Sequence, residues 1–103
     1  MTTIALLSVA PVQEGSMAGE VAKAVEAIDA FDVEYETTAM GTILEADDVA
    51  EVFAAARAAH EAVEGDRVST FLKIDDKRTS EQSAAEKVES VEGVLGRPAR
   101  SER

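Results

Sequence analysis

An α+β fold with the element order β-α-β-β-α-β-α is predicted by three features of the sequence. Thr2 to Ala10, TTIALLSVA, is apolar on both alternating sets of positions, the pattern of a strand buried on two faces. Tyr35 to Ala46, YETTAMGTILEA, alternates β-branched and aromatic residues with polar ones and is broken once by glycine, the pattern of two short strands and a tight turn. Three other stretches repeat apolar residues at helical spacing, with helix-start or helix-stop residues beside them.

Taken in order, the first strand ends at Pro11, which cannot donate to a ladder. Ser16 is a candidate N-cap for a helix whose apolar face is Met17, Val21, Ala24, Val25 and Ile28. In the hairpin, Val33, Tyr35 and Thr37 alternate with Glu34, Glu36 and Thr38, and Met40-Gly41-Thr42 leads into the second strand. Asp48-x-x-Glu51 reads as a capping box, with Val49, Val52, Phe53, Ala56, His60 and Val63 expected on one side of the helix and Gly65 as its stop. Arg67 to Asp75 alternates again: Val68, Thr70, Leu72 and Ile74 face one way, and Arg67, Ser69, Phe71, Lys73 and Asp75 the other. Thr79-x-x-Gln82 resembles another capping box, before a stripe of Ala84, Val88, Val91 and Leu95. The first six elements match the split βαβ, ferredoxin-like arrangement. With right-handed crossovers, its strands lie in the order fourth, first, third, second, and the first two helices share one sheet face.

At 103 residues the chain is expected to be one domain over residues 1–96, with a disordered polar tail at 97–103. It has no cysteine, which excludes disulfides, a thiolate nucleophile and a thiolate metal site. The first residues lack a basic targeting region and the apolar run is too short to span a bilayer, so the expected compartment is the cytoplasm and no membrane partner is expected. The net charge of −11 disfavours nucleic acid as a partner. The acidic side chains are spread along the chain and the lysines are only Lys23, Lys73, Lys77 and Lys87, a composition that suits solvation in high internal salt, as in halophilic organisms. The other reading of that charge is attraction of a cationic ligand.

Helices on one side of the sheet leave Phe71, Leu44 and part of the first strand facing outward, a bare apolar face that marks an interaction site. The Val68 to Ile74 strand falls at an edge and invites pairing unless the third helix or another subunit covers it. A homodimer is the expected minimum, and a homotetramer uses both surfaces.

His60 is the only histidine and reads as a core or interface residue. Glu45, Asp47, Asp48, Asp75 and Asp76 read as strand-end caps and turn residues without the spacing of a calcium loop. No phosphate-binding, dinucleotide or nucleophile-elbow motif occurs, and no hydroxyl has an evident activating base, so the expectation is a protein without catalysis and without a cofactor. Ser8, Thr38, Thr42, Met40, Phe71 and Lys73 offer the lining of a small-molecule pocket at a subunit interface, while the simpler reading makes Met40 and Phe71 oligomer packing.

The sequence also resembles a known family. Val33-Glu34-Tyr35-Glu36, Met40-Gly41-Thr42, Leu44-Glu45-Ala46, Ala58 to Ala62 (AAHEA), Asp66-Arg67-Val68, Leu72 to Arg78 (LKIDDKR) and Lys87 to Val91 (KVESV) together resemble the MTH1187/YkoF-like thiamine-binding proteins, the UPF0045 (DUF77) group. The resemblance implies a ferredoxin-like fold, sheet-to-sheet dimers and tetramers, and non-catalytic binding of thiamine or its hydroxymethylpyrimidine moiety. It assigns ligand roles to Thr38, Met40, Gly41, Thr42 and the Lys73 to Asp76 run. Tyr35 or Phe71 would then stack on the ligand, and Glu36 or Glu45 would pair with its charge or exocyclic amine. Where relatives carry Pro-Leu-Gly-Thr after the first strand, this chain has Pro11-Val12-Gln13-Glu14-Gly15-Ser16, a difference that bears on specificity. Two competing readings stand beside this one: an oligomeric scaffold without ligand, and a small dimeric enzyme that uses an interface cavity and His60.

Overall fold

A computed structural model describes residues 2–79 and 81–99. The elements are β1 (Thr2–Pro11), α1 (Ala18–Ile28), β2 (Glu34–Thr38), β3 (Gly41–Ala46), α2 (Val49–Ala62), β4 (Val68–Lys77) and α3 (Ala84–Leu95). The four strands form one antiparallel sheet in the order β2-β3-β1-β4, the ferredoxin-like arrangement. β1 is central, which accounts for its apolar residues on both faces. Thr3, Ala5, Leu7 and Val9 are buried beneath α1 and α2, whereas Ile4, Leu6, Ser8 and Ala10 are half-buried on the other face.

The core between sheet and helices is built from Ala5, Leu7, Val9, Ala24, Ile28, Leu44, Ala46, Val52, Ala55, Ala56, Ala59 and Val63. Its alanines let α2 approach the strands closely. They also displace the expected α2 stripe: Val52, Ala55, Ala56, Ala59 and Val63 face inward, while Phe53 and His60, each one position further on, are exposed. Leu44, expected on the outward face, is fully buried instead. Its register partner is Ala5, which turns it toward the helices and gives the outward position to Ile43, the partner of Leu6.

The helix ends also depart in detail from the sequence reading. α1 has Met17 at its N-cap position with no side-chain cap, although Ser16 Oγ accepts from Ala18 N at 3.3 Å. Asp48 caps α2 by accepting from Ala50 N at 2.9 Å, but Glu51 Oε1 accepts from Asp32 N rather than closing a box. α2 stops through extended Val63, before Gly65. α3 begins later than the Thr79-x-x-Gln82 pattern implies: Ser83 is its cap, and Ser83 Oγ accepts from Glu86 N at 3.1 Å. Its left-handed C-cap is Gly96. The tail expected over residues 97–103 lies partly outside the described residues; within it, Ala99 N donates to Glu92 Oε2 at 2.6 Å.

β2 and β3 join through a two-residue loop, Ala39-Met40, flanked by the Thr38↔Gly41 pair. Thr38 Oγ1 holds the turn, accepting from Met40 N at 3.2 Å and donating to Gly41 O at 2.7 Å. Gly41 has φ +149°, and a Cβ there would lie 2.8 Å from the Leu7 carbonyl oxygen. The hairpin therefore needs glycine where it crosses β1.

Candidate functional site

The sheet face opposite α1 and α2 carries two cross-strand rows that follow from register alone. In one, Glu34 on β2 faces Glu45 on β3, which faces Ile4 on β1, which faces Asp75 on β4. In the next, Glu36 faces Ile43, then Leu6, then Lys73. Paired residues on neighbouring strands share a face, so the sheet presents an apolar floor of Ile4, Leu6 and Ile43 with charge at its sides.

α3 lies over one end of this face and turns it into a cleft of about 610 Å³. Ala84, Ala85, Lys87 and Val88 form the helix wall. Ala84 N donates to Glu45 Oε1 at 3.3 Å, and the Lys87 ammonium pairs with Asp75 Oδ2. That contact holds the Asp75 carboxyl below the usual carboxylate range, first through the hydrogen bond from Lys87, then through its charge, with Lys73 and Lys77 adding smaller amounts. Four carboxylates, Glu34, Glu36, Glu45 and Asp75, thus stand against the ammonium groups of Lys73 and Lys87.

The residues expected to form a site are divided. Tyr35, Glu45 and Lys73 line the cleft, together with Glu36. Tyr35 contributes through its strand, because its partner Leu44 faces the helices and its hydroxyl donates to Asp29 Oδ1 at 2.6 Å. That bond raises the phenol pKa and commits the ring to the end of α1 rather than to the cleft floor. Ser8, Thr38, Met40, Gly41 and Thr42 line a separate pocket of about 240 Å³ between α1 and the hairpin, with Met17, Val21 and Val25. Phe71 belongs to neither cavity; it stands exposed on the open face opposite Ser8. His60, expected on the apolar side of α2, is exposed, and its Nδ1 shares a hydrogen bond with Thr70 Oγ1 on β4.

Glu34 and Lys87 were not singled out as ligand contacts by sequence reasoning, whereas Asp75 lies in the Lys73 to Asp76 run to which the resemblance assigns a ligand role. The signal for the carboxylates was present in the strand alternation once the hairpin register is known. Lys87 had none, since nothing local announces that α3 folds back over the sheet.

The family described as thiamine-binding protein matches residues 5–92. The chain belongs to this family. Among relatives of the thiamine-binding-protein family, a UPF0045 protein of Methanothermobacter thermautotrophicus is 51% identical over 79 residues, which span 74% of this chain and 80% of that protein. A UPF0045 protein of Methanocaldococcus jannaschii is 36% identical over 91 residues, spanning 85% of this chain and 90% of that protein. The crystal structure of a hypothetical protein from the same organism superposes with a TM-score of 0.81 at 35% identity, covering 87% of this chain and 95% of the other. A Thermotoga maritima structure whose name proposes thiamine biosynthesis or salvage superposes with a TM-score of 0.68 at 23% identity, covering 88% of this chain and 99% of the other; that likeness is one of fold.

Proposed function

We propose that this chain binds thiamine or its hydroxymethylpyrimidine moiety, without catalysing a reaction on it, in the cleft between the open sheet face and α3. The observation that carries the reading is the in-register opposition of Glu34 and Glu45 on the cleft wall, with Asp75 across Ile4. Like charges directly opposite on a sheet repel, and a bound cation relieves that repulsion. Thiamine has a fixed positive charge on its thiazolium ring and an aminopyrimidine that donates hydrogen bonds to carboxylates. The apolar floor receives the faces of the rings, and the cleft volume of about 610 Å³ falls in the usual range for small-molecule sites. Membership of the thiamine-binding-protein family favours the same ligand class.

The cleft occupies only part of the open face. Phe71 and the exposed α3 residues Val91 and Leu95 remain uncovered, and their burial against a second copy gives the homodimer, with the β4 edge available for a tetramer. The competing scaffold reading keeps this assembly and leaves the cleft empty of ligand.

A thermal unfolding series in concentrated potassium chloride, with thiamine, hydroxymethylpyrimidine or neither, separates the two. A ligand that binds only the native state adds about 2.7 kcal/mol at a hundredfold excess over its Kd, which displaces the transition upward by several degrees. No displacement at millimolar concentrations of either compound supports the scaffold.

A further inference from the structure

The unpaired charges of the cleft are sorted across the sheet. Of its four carboxylates, Glu45 is engaged by Ala84 N and Asp75 by Lys87. Glu34 and Glu36, the two without an ion pair among the described residues, both belong to the edge strand β2. At the opposite edge, β4 carries Lys73, Asp75 and Lys77 on one face, and among the described residues neither lysine has an ion pair. Three of the chain's four lysines, Lys73, Lys77 and Lys87, thus gather on the one carboxylate of Asp75. One carboxylate neutralises one ammonium, so this corner keeps a surplus of positive charge in a chain whose net charge is −11. Lys77 is the last residue of β4, at the far end from Phe71, where a second copy is expected to sit. In the order β2-β3-β1-β4 the two edges stand three strand spacings apart, about 14 Å. The apolar floor of Ile4, Leu6 and Ile43 lies between them.

We infer that the cleft selects a dipolar ligand, a heteroaromatic cation that ends in a phosphate monoester, with its rings toward Glu34 and Glu36 and its phosphate on Lys73 and Lys77. The inference rests on the cleft reading above for the place and for the cationic class, and adds the ligand's second charge and its orientation. A phosphate monoester carries about −1.5 to −2 charges at pH 7, and lysine ammoniums bind phosphate as point charges. A ligand with a hydroxyl at that end leaves both lysines without an anion. A ligand with a phosphate and no cation answers β4 and leaves Glu34 and Glu36 unmatched. Lys87 stays on Asp75, which keeps that carboxylate from repelling the phosphate. Thiamine monophosphate has this charge pattern: its aminopyrimidine is at one end, the thiazolium cation in the middle and the phosphate at the other end.

Calorimetric titration of the full chain with thiamine and with thiamine monophosphate, at one potassium chloride concentration, tests this, with both titrations repeated in Lys73→Met and Lys77→Met. The readout is the ratio of the two Kd values within one protein, which is indifferent to any loss of folded material. The monophosphate should bind the unaltered chain more tightly, by about two- to fivefold for each lysine engaged, the range of an exposed ion pair. Each variant should bring the ratio toward one. Equal or weaker binding of the monophosphate, with thiamine still bound, overturns the phosphate subsite and leaves the cleft reading standing. A preference undiminished in either variant overturns the assignment to the two lysines. If neither compound binds the unaltered chain, the cleft reading and the inference fall together.

Discussion

Glu34 and Glu45 stand directly opposite each other on β2 and β3, on the same face of the sheet and in the same cleft. Glu45 is also engaged by Ala84 N, whereas Glu34 is exposed on the edge strand. Replacing Glu34 by Gln removes the repulsion without changing shape. The free protein should gain about 0.2–1 kcal/mol in stability, and affinity for thiamine should fall. A rise in both the unfolding midpoint and the Kd is the expected signature. A variant that becomes both more stable and a better binder would argue against a cation in this cleft.

The core tests the rotation of α2 and the register of β3. Leu44 is fully buried against Ala5 and the helices, so Leu44→Ala should cost about 2–5 kcal/mol. Phe53 is 56% exposed despite its size, so Phe53→Ala should cost about 1 kcal/mol or less. Urea unfolding of the two variants in high salt measures the difference.

Much of the fold was legible in the sequence because it depends on period and turn chemistry. The two-faced apolarity of β1, the single glycine of the hairpin and the alternation of Val68 to Ile74 each survive as the corresponding element, in the expected strand order. What was not legible depends on which neighbour a side chain meets. Phe53 and His60 outweigh Ala55 and Ala59 on any hydrophobicity count, yet the close approach of α2 to the sheet selects the small residues. Leu44 and Ile43 are equally apolar, and only pairing with Ala5 decides which turns inward. The candidate site divides for the same reason. Glu45 and Lys73 meet in the cleft, but Thr38, Met40 and Thr42 line the pocket beneath α1 instead. The role of Lys87 required knowing where α3 lands.

Two glycines should respond in opposite directions. Gly41→Ala forces a Cβ to 2.8 Å from the Leu7 carbonyl oxygen at a positive φ, and should destabilise by more than about 1 kcal/mol. Gly19, inside α1, has no atom within 4 Å of a built Cβ, and Gly19→Ala should stabilise by about 0.4–1 kcal/mol. Thermal unfolding of both variants under one buffer condition reads the contrast.

The pH dependence has a definite sign. Asp75 is depressed by the hydrogen bond and charge of Lys87, with Lys73 and Lys77 also facing it, so its contribution is present above the ordinary Asp value of 3.8 and is lost as pH falls through the lower folded value. Glu20 is depressed in the same way, first by Lys23 and then by the backbone N–H of Glu64, which ties α1 to the end of α2. Lys23 is raised by Glu20 and Glu64, so its contribution persists below 10.5 and is lost only as pH rises through the higher folded value. NMR of the side-chain carboxyl carbons should show Asp75 and Glu20 titrating below their ordinary carboxylate values.

The most direct measurement is a crystal structure of the protein grown or soaked with thiamine in concentrated salt. Density is expected for the aminopyrimidine and thiazolium rings above Ile4, Leu6 and Ile43, with the Glu34, Glu45 and Asp75 carboxylates around it. Density in the pocket beneath α1 beside Met40 and Thr42 would contradict it, as would an empty cleft at a concentration that saturates binding in solution.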